Sequence, residues 1–166
     1  MSPADVKRAI PGHDAVVISL GNAQLPLSIS LGARRTTPAD ICEMGTRNIV
    51  GALGPGSPVR VIAVTAFGVG NTRDKMPIAF KIFSQLLLRE AMADKERQEA
   101  VLKASGLDYA LVQPVGLTDA PASGDWVTSA RGETRKMRIS RKDVAAFIAE
   151  EIANPCYHRQ TVALSG

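Results

Sequence analysis

The sequence is poor in aromatic residues and in long apolar stretches, and both scarcities narrow the possible functions of the protein. Aromatic residues make up 4% of the chain, so the stacking platforms that bind single-stranded nucleic acid are scarce. No apolar run approaches the roughly 20 residues that span a bilayer, and the N-terminus lacks the apolar core of a secretory signal. We therefore expect a cytoplasmic protein that binds neither nucleic acid nor membranes.

Cysteine and histidine are also rare, which argues against metal and thiol chemistry. The two cysteines, Cys42 and Cys156, fit a reducing compartment, and neither has a CxxC partner or a nearby pair of histidines. We therefore expect no metal site. His13 and His158 stand in turn-like sequences without a serine or cysteine at catalytic spacing, so we expect both to be exposed to solvent.

The chain also lacks the glycine-rich loops by which nucleotide-binding proteins usually hold phosphate. Segment 51–56 (GALGPG) ends a helical pattern, and segment 68–70 (GVG) follows a strand pattern but has Arg73 where a GxGxxG turn needs its third glycine. We interpret both as backbone turns. The net charge of +4 comes from basic residues scattered among acidic ones, which predicts a solvated face, with an anionic ligand such as a nucleotide phosphate as the alternative.

What the chain does contain is a regular alternation of apolar strand patterns with helical patterns over all 166 residues. The strand patterns are 15–20, 59–64, 109–112 and 161–164, and the main helical patterns follow residue 40 and occupy 78–88, 91–104 and the segment after Ser140. Residues 116–138 are less regular. This order predicts a single α/β domain, residues 1–166, with a parallel sheet and helices on both faces.

Two helices carry signatures of their starts and of the faces that they bury. Thr37-Pro38-x-Asp40 is a capping signature for the helix after residue 40, and Ser140 is one for the last helix. The residues predicted to face the core are Ile41, Met44, Ile49, Ala52 and Leu53 in the first helix and Val144, Phe147, Ile148 and Ile152 in the last.

The ends of the predicted strands indicate where a ligand would bind. Ligands of parallel α/β sheets bind outside the carboxyl ends of the strands. In this chain those ends carry segments 19–21, 65–67 and 113–116. We therefore expect these three segments to line one crevice.

Five segments resemble, in order, the atypical short-chain dehydrogenase/reductases, among them the biliverdin/flavin reductase branch and the NmrA-like proteins. They are GHDAVVISLG (12–21), RNIVGAL (47–53), VIAVTAFG (61–68), LKASGLDYALVQPVGLTD (102–119) and ISRKDVAAFIAE (139–150). The resemblance implies an NAD(P)-binding Rossmann fold, with NADP favoured as the cofactor. Family members carry a strand, a GxxGxxG turn and two further strands before the segment that resembles SPADVKRAI, so we expect the N-terminal part of the fold to be missing. The edge strand 15–20 would then be unpaired, so we expect a protein that is prone to aggregate, forms a homodimer through that edge or is completed by another chain.

The resemblance also assigns candidate catalytic residues. Thr65 takes the position of the serine or threonine that orients the substrate, and Lys95 that of the lysine that holds the nicotinamide ribose. Ala91 stands where the proton-donating tyrosine is usual, one helical turn before the lysine. Lys95 has an alternative interpretation, an exposed helix charge paired with Glu99.

Further residues are assigned to the walls of the site by the same resemblance. Leu20, Gly21 and the segment Pro114, Val115, Gly116 and Leu117, with Thr65 and Lys95, would contact the cofactor, and Phe67 and Trp126 would form apolar walls for a small-molecule substrate. Trp126 is equally compatible with plain packing. The function implied is hydride transfer from NAD(P)H to a conjugated acceptor such as a flavin or quinone. The alternatives are a non-catalytic NAD(P)-sensing or partner-binding protein, and a fragment that binds no nucleotide.

Overall fold

Four parallel strands form the centre of the structure, a computed structural model that describes residues 2–21, 34 and 36–166. The strands are β1 (Ala15–Ile18), β2 (Arg60–Val64), β3 (Tyr109–Pro114), β4 (Gly116–Thr118), β5 (Val127–Ser129), β6 (Arg138–Ser140) and β7 (Gln160–Ser165). The main sheet has the order β1-β2-β3-β7-β5, and β4 pairs with β6 in a small parallel sheet. Strands β1, β2, β3 and β7 are parallel, which confirms the predicted sheet, whereas β5 is antiparallel to β7.

Helices cover both faces of the main sheet, as predicted. They are α1 (Pro3–Ala9), α2 (Ile41–Leu53), α3 (Ile78–Leu87), α4 (Arg89–Ala104) and α5 (Arg141–Ala153), with a 3₁₀ helix at Gly70–Lys75. On one face, α1, α2 and α4 bury Val6, Ile49 and Leu102 against the sheet. On the other face, Val144 and Phe147 of α5 pack in a second apolar cluster. Because β2 and β3 are covered on both sides, their sequences are almost continuously apolar.

The apolar faces of two helices differ from the prediction. Met44 is 46% exposed and Ile152 is 42% exposed, so neither faces the core. The buried stripe of α2 instead consists of Cys42, Gly45, Thr46 and Ile49. The small side chains in this stripe, among them Gly45, let α4 pack closely against α2. In α5 the inward position after Phe147 is held by Glu151, an acid that sequence reasoning had left out of the core.

Three short strands lie between residues 116 and 140, where the sequence predicted none. Each of these strands has three residues, which is too short to show a period of alternation. Their pairing partners are also distant in the chain, so that β4 meets β6 and β5 meets β7 only after the chain has folded. At the opposite edge, β1 pairs with β2 alone among the described residues, and Val17 is 41% exposed.

Candidate functional site

The carboxyl ends of β1, β2 and β3 lie side by side, where the topology predicted a crevice. The backbone N–H of Thr65 donates to the carbonyl of Val112 (2.8 Å), and that of Phe67 donates to the carbonyl of Pro114 (3.0 Å). These bonds continue the β2–β3 ladder beyond the end of β2. Leu20 follows β1 and is joined to β2 by a side chain of α4. The three segments predicted to line a crevice, 19–21, 65–67 and 113–116, therefore meet at one rim of the sheet.

That side chain is Lys95, whose ammonium group lies between the ends of β1 and β2. Its Nζ donates to the carbonyl of Leu20 (2.6 Å), the carbonyl of Val64 (2.7 Å) and Oε1 of Gln98 (3.2 Å). An ammonium has three N–H donors, and all three are used. Burial lowers the pKa of Lys95, against the opposing effects of Cys42 and nearby carboxylates. Lys95 is therefore held inside the protein, and the alternative of an exposed charge paired with Glu99 is wrong.

Thr65 belongs to a buried hydrogen-bond network that links β2, β3 and α4. Its hydroxyl donates to Oε1 of Glu99 (2.8 Å), which also accepts from Nε2 of Gln113 (2.7 Å). The other carboxylate oxygen of Glu99 accepts from Nζ of Lys103 (3.0 Å). Thr72 closes the network by donating to Oε1 of Gln113 (2.8 Å). Thr65 is 4% exposed, so its hydroxyl faces this network rather than open solvent.

Sequence reasoning missed Glu99 and Gln113 as components of the site. The available signals were a glutamine within the otherwise apolar strand YALVQP and a glutamate one helical turn after Lys95. Both residues are essentially inaccessible in the structure, at 1% and 0% exposure. A buried amide and a buried carboxylate require partners, and here each supplies one for the other.

A small residue stands near Lys95 where a larger side chain is usual in the family that the sequence resembles. Ala91, one turn before Lys95, is exposed. Among the described residues, no atom lies within 4 Å of the position that a Cβ on Gly21, after the end of β1, would take. A phosphate-binding GxxGxxG turn does not follow any of the described strands.

The glycine turn after β2 serves packing and not phosphate binding. A Cβ on Gly68 would lie 2.2 Å from Sδ of Met76, and one on Gly70 would lie 2.8 Å from Oε2 of Glu99. Both glycines therefore let the turn approach other parts of the protein. A carboxylate beside Gly70 would also repel a phosphate group. This agrees with the interpretation of segment 68–70 as a backbone turn.

The remaining predicted residues occupy both the core and the rim. Pro114 and Val115 are buried at the end of β3, Gly116 is half-buried, and Leu117 is 42% exposed. Phe67 is 3% exposed and belongs to the apolar cluster of α5, against which the half-buried Trp126 also packs. The structure thus brings Phe67 and Trp126 into one cluster, and their contact with a substrate stays a prediction.

A cleft opens beside the turn that follows β2, and it is called the basic cleft below. Its volume is about 240 Å³, and its lining includes Val69, Met76 and Met92. Three cationic side chains, Arg73, Lys81 and Arg89, and the acidic Glu96 also line it. The basic cleft therefore combines an apolar floor with a rim of mostly positive charge.

Neither membrane-spanning helices nor metal clusters occur in the described part of the chain. Each helix formed by residues 2–21, 34 and 36–166 is too short or too polar to cross a bilayer. Over the same residues, no three side chains of histidine, cysteine, aspartate and glutamate lie close enough to hold a metal ion.

A parallel sheet with helices on both faces and a lysine at the meeting point of its strand ends defines a Rossmann-type α/β protein. Comparison with known families agrees, because residues 1–155 match the family described as NAD(P)H-binding. The chain belongs to this family.

Individual relatives support the same assignment. The chain is 30% identical over 147 residues to a protein of Bacillus subtilis named "uncharacterized sugar epimerase YhfK", covering 89% of this chain and 60% of that protein. The chain therefore spans about 60% of the length of this relative.

Two solved structures share the fold at low sequence identity. A short-chain dehydrogenase/reductase of Veillonella parvula in complex with NADP has a TM-score of 0.77 and 17% identity, covering 100% of this chain and 69% of its own. ChuY, an anaerobillin reductase of Escherichia coli O157:H7, has a TM-score of 0.70 and 24% identity, covering 98% of this chain and 68% of its own.

Proposed function

We propose that this protein is an NAD(P)H-dependent reductase that transfers a hydride to a conjugated acceptor such as a flavin or quinone. The observation that carries the proposal is the position of Lys95, which joins the ends of β1 and β2 one helical turn after the exposed Ala91. Membership in an NAD(P)H-binding family supports the cofactor. The likeness to a structure in complex with NADP makes NADP the proposed form.

Lys95 and Thr65 act in this proposal by fixing the strand ends. The bonds of Lys95 to Leu20 and Val64 hold the backbone at which Leu20 and Gly21 would meet the nicotinamide half of the cofactor. The network of Thr65, Glu99 and Gln113 fixes the end of β2 against β3. NAD(P)H supplies the hydride when bound, and the protein supplies orientation. Pro114, Val115, Gly116 and Leu117 would lie along the cofactor, and Phe67 and Trp126 beside the acceptor.

The alanine at position 91 determines the proposed class of acceptor. Carbonyl reduction and sugar epimerisation both require a group that moves a proton at an oxygen atom. Ala91 has no such group, which weighs against assigning to this chain the epimerase activity named for the Bacillus subtilis relative. A conjugated acceptor delocalises the charge that arrives with the hydride, and water can then supply the proton.

A second candidate function is NAD(P) sensing without catalysis. The observation that favours it is Ala91, which leaves α4 without a proton donor one helical turn before Lys95. The three N–H groups of Lys95 all bond to protein atoms, so none is left for a ribose hydroxyl. A ligand would have to displace one of these acceptors to be held by the lysine.

The test combines cofactor binding with turnover. Fluorescence of Trp126, the single tryptophan, would report binding of NADPH and NADH to the wild type. NADPH oxidation would then be followed with FMN and with a quinone for the wild type, Thr65→Ala and, as a control that keeps the hydroxyl, Thr65→Ser. We expect the wild type to bind NADPH and to oxidise it with an acceptor. Turnover should be about tenfold slower in Thr65→Ala and unchanged in Thr65→Ser, a loss of about 1.4 kcal/mol in transition-state stabilisation for the alanine variant. Binding without turnover would establish the sensing function, and absence of binding would reject both.

We propose separately that the outer edge of β1 pairs with a second copy of the chain. Strand β1 pairs only with β2 among the described residues, and its other edge offers unpaired backbone groups beside the exposed Val17. A second copy of the chain would pair there, edge to edge. Sedimentation of the wild type and of Val17→Lys would test this: a dimer that Val17→Lys converts to monomer is expected, and a monomeric wild type would refute it.

A further inference from the structure

We propose that the basic cleft binds the oxyanion tail, a phosphate or carboxylate, of the acceptor, so that anionic conjugated acceptors are preferred over neutral ones. The inference rests on the proposed function and specifies its substrate. The basic cleft lies beside Gly68 and Val69, immediately after the segment 65–67 at the end of β2. An acceptor that reacts at the strand ends would therefore reach the cleft with its tail.

The charges of the rim do not cancel one another. Arg73 pairs with Glu96, which offsets one of the cations and the acid found among the described lining residues. Lys81 lies 3.6 Å from Asp74, but Asp74 is on the surface with its side chain 92% exposed, so water screens this contact. The side chain of Arg89 makes no hydrogen bond or ion pair within the part of the chain that the structure describes. Arg89, and Lys81 with its weak exposed partner, therefore leave net positive charge at the cleft.

The floor of the basic cleft suits a flat ring. Val69 and Met76 are 1% and 9% exposed, and Met92 is half-buried beside them. Methionine side chains are flexible and polarisable, and they make favourable contacts with the edges and faces of aromatic rings. An acceptor that is apolar in its ring and anionic in its tail matches both parts of the lining.

The size of the cleft indicates that it holds part of a ligand. Its volume of about 240 Å³ lies below the roughly 300–1,000 Å³ of sites that enclose a whole cofactor-sized molecule. The rest of the acceptor would therefore extend out of the cleft, toward the ends of β2 and β3. This arrangement places the reacting ring near the proposed nicotinamide position and the tail at Lys81 and Arg89.

Binding of three flavins that differ only in the side chain tests the inference without requiring turnover. The flavins are riboflavin, FMN, and a flavin whose side chain ends in a carboxylate. Dissociation constants would be measured by quenching of flavin fluorescence with the protein saturated in NADP⁺. We expect both anionic flavins to bind about tenfold more tightly than riboflavin, with the preference falling as salt is raised. An advantage for FMN alone would identify a phosphate site, and an equal advantage for both a general oxyanion site.

Substitutions of Lys81 and Arg89 test whether these two residues cause the preference for anionic flavins. Arg89→Gln and Lys81→Gln should each weaken binding of FMN about threefold to tenfold and that of riboflavin less than twofold. The exposed Arg131 and Lys142 provide the matched controls Arg131→Gln and Lys142→Gln, which should change neither. Thermal melts would confirm that all four variants are folded.

Each result separates this inference from the proposed function. A preference for FMN that Arg89→Gln and Lys81→Gln abolish supports the inference even if no flavin is reduced. Turnover of riboflavin and FMN with equal dissociation constants overturns the inference and leaves the reductase function intact. The inference is also overturned if the variants lose riboflavin and FMN binding equally. Failure of all three flavins to bind, or variants in which only the affinity for NADPH changes, would overturn it as well.

Discussion

The ammonium of Lys95 lies 2.6 Å from the carbonyl oxygen of Leu20 and 2.7 Å from that of Val64. One side chain of α4 thus joins the ends of two neighbouring parallel strands. Backbone carbonyls beyond the end of a strand lack the N–H groups of a ladder, and when buried they require another donor. Lys95 provides that donor, so its first role is structural whatever ligand binds above it.

Replacing Lys95 should therefore destabilise the fold. Lys95→Met keeps the apolar stem but removes the donors to Leu20, Val64 and Gln98. We expect the free energy of unfolding to fall by about 1–3 kcal/mol, because partly buried acceptors lose a charged donor. Urea unfolding would measure the loss. The exposed Lys142 provides the control Lys142→Met, and a loss in Lys95→Met no larger than in this control would contradict the structural role.

The start of α2 is capped from another helix, and this predicts a contrast between two aspartates. The carboxylate of Asp94 in α4 accepts from the backbone N–H groups of Cys42 (2.9 Å) and Glu43 (3.0 Å). Asp40, the residue that precedes the helix, makes no capping bond with its side chain. Asp94→Ala should lower the free energy of unfolding by about 1–2 kcal/mol, whereas Asp40→Ala should leave it nearly unchanged. Equal effects of the two substitutions in urea unfolding would show that the cap is not Asp94.

This cap illustrates what the sequence could not reveal. The signature Thr37-Pro38-x-Asp40 predicted the helix that begins at Ile41, but the carboxylate that caps this helix lies about 50 residues further along the chain. Ser140, in contrast, caps α5 through the backbone N–H of Asp143 (2.9 Å), as its local sequence predicted. Local capping was predictable, and capping between helices depended on how α2 and α4 pack.

The same distinction holds for the candidate site. The convergence of Leu20, Thr65 and Pro114 was predictable, because apolar strands separated by helices form parallel sheets whose carboxyl ends share one rim. The bond from Thr65 to Glu99 was not, because the two residues are 34 positions apart and meet only through tertiary packing. The sequence pattern also cannot distinguish an exposed lysine from one that turns inward to bond carbonyl groups, which is why the alternative for Lys95 was wrong.

The glycine turn after β2 predicts a contrast between two glycines with positive φ. Gly68 has φ +95°, and a Cβ there would meet Met76 at 2.2 Å, whereas Gly124 has φ +67° and open space around the same position. Gly124→Ala should cost about 1 kcal/mol from backbone strain alone. Gly68→Ala should cost about 2 kcal/mol or more, because overpacking adds to the strain. Thermal and urea unfolding would compare them, and a Gly68→Ala protein as stable as Gly124→Ala would show that Met76 yields freely.

The pH dependence of stability should include a contribution from Asp143, which ties the loop before β5 to the start of α5. Its carboxylate accepts from the hydroxyl of Ser140 (2.7 Å) and from the backbone N–H groups of Ser123 (2.9 Å) and Gly124 (3.0 Å). These bonds, that of Ser140 foremost, lower the pKa of Asp143 from 3.8 to about 2. The folded state therefore releases the proton more readily than the unfolded state.

The sign of the effect follows from that difference in proton binding. Stabilisation by Asp143 is fully present above the pKa of the unfolded chain and is lost as the pH falls from about 4 toward 2. Urea unfolding of the wild type and of Asp143→Asn at a series of pH values would measure it, and the gap between them should shrink as the pH falls through this range. A gap between wild type and Asp143→Asn that stays constant down to pH of about 2 would mean that the carboxylate is not selectively stabilised in the folded state.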